Sequence, residues 1–140
     1  MKILVGSKAF FSNYKDFNPH DNDYVLFENN PILYKTFAHI RGKSEDVFAY
    51  KIMSKEEFIE YELKHCKDAK MAIGKLLVPE LAKYMNLTIE DLKKFKFAID
   101  EIGEKHNYEK IIYNSYIKNN DFILTQEQRD LAYQEYKKYR

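Results

Sequence analysis

The first half of the chain is written in short apolar runs separated by turn residues, and the second half in longer stretches whose apolar positions recur three and four residues apart. Lys2 to Val5 is a β-branched and apolar run that stops at Gly6, the pattern of a buried strand. Ala9, Phe10 and Phe11 then predict a short helix over 8–14, with Ser7 as a competent N-cap. Asp16 to Asp23 has turn chemistry in Asn18, Pro19 and Asn22, and Tyr24 to Glu28 reads as a second strand. After the turn at Asn29-Asn30-Pro31, Leu33 to Ile40 alternates in period two as a third strand. A polar loop from Arg41 to Asp46, containing Gly42, leads to a fourth strand, "VFAYKIM", over 47–53, and the last two strands form an expected hairpin.

From Ser54 the period changes. Ser54-x-x-Glu57 is a capping box ahead of a helical stripe at Phe58, Ile59, Tyr61 and Leu63. A second helix is expected within 71–85, started or interrupted near Val78-Pro79. Thr88-x-x-Asp91 opens a third that Gly103 ends or bends, 105–119 forms a fourth, and Thr125-x-x-Gln128 opens an amphipathic helix running to Arg140. No repeat, low-complexity tract or linker divides the halves. The expectation is therefore one α+β (mixed α/β) domain over 1–140, with a small mixed sheet in 1–53 packed with a helical cap in 54–140.

Composition narrows the function classes. At 140 residues and 45% hydrophobic, the chain is long enough for a core without disulfides, and Cys66 as the sole cysteine excludes an intrachain disulfide or a multi-thiolate zinc site. A formal net charge of +1 gives no general nucleic-acid or membrane-surface signal, and no run is long enough to target or span a bilayer. The expected compartment is the cytoplasm. The 12 Tyr and 10 Phe are read as core packing.

Candidate chemistry gathers near the N-terminus. If Asp21 and Asp23 lie on an extended segment, they project from one face, and two carboxylates so held suit hard divalent cations such as Mg²⁺. Two such ions about 3.5–4 Å apart stabilise the attacking and leaving oxygens of an in-line phosphoryl displacement. Gly6-Ser7, between a strand and a helix, lets backbone approach a phosphate closely, with the Ser7 hydroxyl as a donor and Lys8 as added charge.

Gly-Ser after a first strand, followed by Asp-x-Asp entering a second, resembles the minimal nucleotidyltransferases, relatives of DNA polymerase β, with further similarity to uncharacterised bacterial and phage-type members in "GKLLVPELAKY" and "KHNYEKIIYNSYI". The resemblance implies that Gly6, Ser7 and Lys8 bind the phosphates of a nucleoside triphosphate (NTP). Asp21 and Asp23 would be the catalytic carboxylates and Mg²⁺ ligands, and a nucleoside monophosphate would pass to an acceptor that is a small molecule, an RNA end or a protein side chain. It also implies a third carboxylate on a later neighbouring strand. "VFAYKIM" contains none, which leaves Asp46 and Glu45 at its entrance as the substitutes.

Secondary candidates for phosphate or acceptor contact are Lys51, beside the expected third-carboxylate strand, and His106 with Lys110, which share a helix face with Tyr113. His39 and His65 have no ligand-spaced partner, His20 sits in a polar turn, and Cys66 is a passive helix residue. The competing expectations are a catalytically silent nucleotide-binding module and a helical protein-interaction domain presenting its Tyr-rich C-terminal helices.

Overall fold

The computed structural model describes residues 1–19, 21–29, 36–68 and 70–139. The fold is α+β, with a four-stranded mixed sheet in the N-terminal part and seven α-helices among the described residues, six of them in the C-terminal part. The chain divides into two compact units, Met1–Ser54 and Lys55–Arg140.

The first unit comprises β1 (Lys2–Val5), α1 (Ser7–Phe11), β2 (Asn22–Phe27), β3 (Phe37–Arg41) and β4 (Glu45–Tyr50). Strand order is β1-β2-β4-β3. β2 runs antiparallel to β1 and parallel to β4, and β3 closes the edge antiparallel to β4. Side chains directly opposite one another share a sheet face. The register therefore puts Ile3, Val5, Asp23, Val25, Phe27, Asp46, Phe48 and Tyr50 on one side. Around the two aspartates and Phe48 this face is core: Ile3, Val5, Val25, Phe27 and Tyr50 are buried, as are Phe10 and Phe11 of α1.

Four boundaries differ from the sequence expectation. β2 begins at Asn22 rather than Tyr24 and ends at Phe27 rather than Glu28, which makes Asp23 a strand residue rather than part of the preceding turn. Helix α1 begins at Ser7, not Lys8, and ends at Phe11; Gly6, with φ of 78°, takes the cap position expected of Ser7. β4 begins at Glu45 and ends at Tyr50, because the turn between β3 and β4 is a tight Gly42-Lys43-Ser44 in which the Gly42 N–H donates to the Glu45 carbonyl at 2.8 Å. Glu45 and Asp46 are thus strand residues rather than loop. The described part of the third strand starts at Phe37 and extends to Arg41; the expected start at Leu33, the Asn30-Pro31 turn and His20 lie outside the described residues.

The second unit holds α2 (Lys55–Asp68), a 3₁₀ segment (Lys70–Leu77), α3 (Pro79–Met85), α4 (Ile89–Lys93), α5 (Lys96–Asp100), a 3₁₀ turn (Glu104–His106), α6 (Asn107–Asn119) and α7 (Gln126–Lys137). Pro79 starts α3 at its first turn, where a missing N–H costs nothing, and Asn86 ends it in the left-handed conformation. The expected third helix is broken at Lys94-Phe95 into α4 and α5. Of the three expected capping boxes, those of Thr88 with Asp91 and Thr125 with Gln128 form in full. α6 and α7 bury Tyr108, Ile112, Tyr113 and Tyr116 with Ala132, Tyr133 and Tyr136, and the Tyr116 hydroxyl donates to the Leu77 carbonyl at 2.8 Å. Among the described residues no helix is long and apolar enough to cross a membrane.

Asp91 ties the starts of two helices together. Its carboxylate closes the α4 capping box and receives Lys55, the first residue of α2, at 2.7 Å. Burial works against its charge, but the hydrogen bonds from Lys55 and from the Thr88 backbone and hydroxyl, with the Lys55 charge, outweigh it and hold the carboxyl at about 2. An unfolded Asp titrates near ~3.9, so this contribution is fully present above that value and is lost as pH falls toward 2. Asp91→Asn is therefore expected to lower unfolding free energy by about 1–2 kcal/mol at pH 7, with the difference from wild type narrowing toward pH 2. Urea unfolding at the two pH values checks this.

Candidate functional site

β2 lies between β1 and β4, so its first residues meet the ends of both neighbours. Asp23 is opposite Val5 on one side and opposite Asp46 on the other. Because β2 and β4 are parallel and in register there, the two carboxylates stand on one face of adjacent strands. The Asn22 N–H donates to the Ser44 carbonyl at 2.9 Å, which clips the β3–β4 turn to the start of β2 and fixes this juxtaposition. Asp21 precedes β2 by one residue and is exposed.

Gly6 closes the other side. A Cβ built on Gly6 would lie 2.6 Å from Asp23 Oδ2, and its φ of 78° with ψ of −169° is a conformation glycine alone adopts readily. The Gly6-Ser7 turn and the Asp23 carboxylate are therefore packed directly against each other. The local conformation and the close approach impose the same residue.

The electrostatics follow from this crowding. Asp23 is half-buried, and its carboxyl is held above the ordinary value first by burial, then by the negative charges of Asp46 and Asp21, with His39 opposing them. His39, on β3, brings Nε2 to 3.8 Å from Asp46 Oδ1. A cation placed among these carboxylates would relieve the repulsion.

Within the first unit the structure thus brings together Gly6, Ser7, Asp21, Asp23 and Asp46 from the sequence candidates. Lys8 donates to Asn22 Oδ1 at 2.8 Å, so its ammonium anchors α1 to the start of β2. Lys51 follows β4, at the opposite end of that strand from Asp46; five residues of strand correspond to about 16 Å. His106 and Lys110 belong to the second unit, where His106 Nδ1 lies 3.2 Å from Glu109 Oε1. His39 is the residue the sequence did not single out. Its role follows from register, since it sits two residues before Arg41, the partner of Asp46, on the same face.

Among the described residues no group of three or more His, Cys, Asp and Glu forms a metal-binding cluster. The donor set instead consists of the two carboxylates in register, with Asp21 nearby. Mg²⁺ commonly binds through one or two carboxylates while substrate phosphates and water complete its octahedron, so this set suits a cation delivered with a polyphosphate better than a resident all-protein cage.

Glu62 and Lys75 form an ion pair at 3.6 Å with 0% and 7% of their side chains exposed. Beside them the Cys66 thiol is pushed up to about 12, first by burial and then by the Glu62 charge, against the influence of Lys75, which makes it a poor nucleophile.

Two outcomes are expected from the geometry. Gly6→Ala forces a Cβ onto the Asp23 carboxylate at positive φ and costs about 1–3 kcal/mol, read by urea unfolding. Asp23→Asn, measured without metal, raises the melting temperature at pH 7. The raised native carboxyl binds its proton more tightly than the unfolded one, so ionisation above the unfolded value of ~3.9 destabilises the native state. Asparagine removes that penalty, and the gain fades below about pH 4, where both states are protonated. Searches against protein-family models, curated proteins and solved structures find no match for this chain.

Proposed function

We propose that the first unit is a nucleotidyltransferase-like site that binds an NTP with Mg²⁺ and transfers its nucleoside monophosphate to an acceptor hydroxyl. The observation that carries the reading is the in-register pair Asp23 and Asp46, with the Gly6-Ser7 turn packed against Asp23. The resemblance requires a third acid on a neighbouring strand, and Asp46 occupies a strand position that supports that role.

In this reading Gly6 gives backbone access to the phosphates and Ser7 donates its hydroxyl to a phosphate oxygen. Asp21, Asp23 and Asp46 supply oxygen ligands. Mg²⁺, when bound, neutralises polyphosphate charge and polarises the α-phosphorus. The acceptor oxygen forms the new bond to that phosphorus, the bond to pyrophosphate breaks, and the hydroxyl proton is released. Positioning and charge neutralisation, rather than a covalent intermediate, supply the rate. The acceptor class is a small molecule, an RNA end or a protein hydroxyl, and the compartment proposed is the cytoplasm.

Thermal unfolding with each NTP, with and without Mg²⁺, tests the binding step, because a ligand that binds only the native state raises stability by mass action. A Mg²⁺-dependent rise is expected in wild type and is lost in Asp23→Asn and Asp46→Asn. Pyrophosphate release in the presence of candidate acceptors then separates transfer from silent binding. No shift with any NTP overturns the reading.

A further inference from the structure

A row of aromatic rings shares the sheet face of the carboxylate pair. Alternate strand residues lie on one side, so Phe37 and His39 of β3, Phe48 and Tyr50 of β4, and Phe27 of β2 stand on the face of Asp23 and Asp46. The rings touch in sequence. His39 stacks on Phe48 with centroids 4.5 Å apart and planes at 21°, and Phe48 lies near-parallel to Phe37 at 6.5 Å and 13°. Phe37 meets Tyr50 at 5.0 Å, and Tyr50 stacks on Phe27 at 5.4 Å.

The two ends of the row differ. Tyr50 and Phe27 are buried, and core packing accounts for them. Phe37 and Phe48 are only partly buried, and the His39 side chain is 29% exposed on the edge strand. That open end abuts the carboxylates, with His39 Nε2 3.8 Å from Asp46 Oδ1. Phe48 follows Asp46 by two residues, a rise of about 6–7 Å along the strand. A nucleotide presents the same two parts in the same order: an anionic polyphosphate and, one ribose away, a planar base.

We infer that the His39–Phe48 end of this row is the stacking surface for a nucleobase whose polyphosphate lies at the Asp23–Asp46 pair. The inference rests on the nucleotide reading of that pair and adds how the rest of the ligand is held. Stacking uses the π-face that every base has, so the surface accepts any base, with the larger purine rings overlapping it most.

Isothermal titration of the full chain in Mg²⁺, with ATP and with inorganic tripolyphosphate, separates base from phosphate. Wild type binds ATP more tightly than tripolyphosphate. His39→Ala reduces that preference by about 5- to 150-fold, the span that the loss of one base–aromatic stack corresponds to. His39→Phe, which keeps a ring and loses the imidazole nitrogens, retains it. Using the ratio of the two ligands cancels any effect of His39 on the carboxylates themselves. A short single-stranded oligonucleotide is the third titrant; if it, and not ATP, loses affinity in His39→Ala, the rings hold an acceptor base rather than the base of the bound nucleotide, and the inference is overturned. A wild-type ratio near one, or a ratio unchanged in His39→Ala with oligonucleotide binding also unchanged, overturns the stacking surface and leaves the carboxylate reading in place. Mg²⁺-dependent binding of neither ATP nor tripolyphosphate overturns the carboxylate reading and this inference with it.

Discussion

The register of β2 between β1 and β4 is the constraint on which the site end of the sheet depends. It sets Asp23 against a backbone that has room for no Cβ and beside a second carboxylate on the parallel strand. Each feature around it answers to that placement. Gly6 adopts positive φ, α1 starts one residue earlier than its hydroxyl cap would suggest, Lys8 pins α1 to Asn22, and the tight Gly42-Lys43-Ser44 turn is clipped to β2 by the Asn22 amide. An arrangement that raises the energy of its own ionised carboxylate is poor design for stability alone. Such conflicts concentrate where a ligand later resolves them.

Local chemistry made much of the fold legible. The division into a sheet followed by helices, both capping boxes at Thr88 and Thr125, and the restart at Pro79 could be read from residues a few positions apart. The misplaced boundaries are those set by distant partners. Glu and Asp disfavour strands intrinsically, so Glu45-Asp46 read as loop until pairing with Asn22-Asp23 and with Arg41 overrode propensity. The break at Lys94-Phe95 carries no Gly or Pro to announce it; there Phe95 is buried within an otherwise helical pattern.

The same distinction governs the site. Gly6, Ser7, Asp21 and Asp23 were visible as an ordered pair of short motifs. Asp46 was visible only as an acid near a strand, and His39 not at all, because what recommends each is a neighbour across a strand rather than along the chain. Lys51 illustrates the converse, since adjacency to the right strand placed it at the wrong end. In the helical unit the buried Glu62–Lys75 pair marks no chemistry that the surrounding residues extend. Ion pairs so enclosed add little net stability, while loss of one partner is costly.

The central claim is that Asp23 and Asp46 crowd one another in the free protein and that a divalent cation relieves them. The most direct measurement is the carboxyl titration of Asp23, followed by carbon-13 chemical shift in the full chain with and without Mg²⁺ and NTP. The account predicts a midpoint above the ordinary aspartate range in the free protein, falling when Asp46 is replaced by Asn and falling again when Mg²⁺ and NTP are added to wild type. An ordinary midpoint that responds to neither change would contradict it.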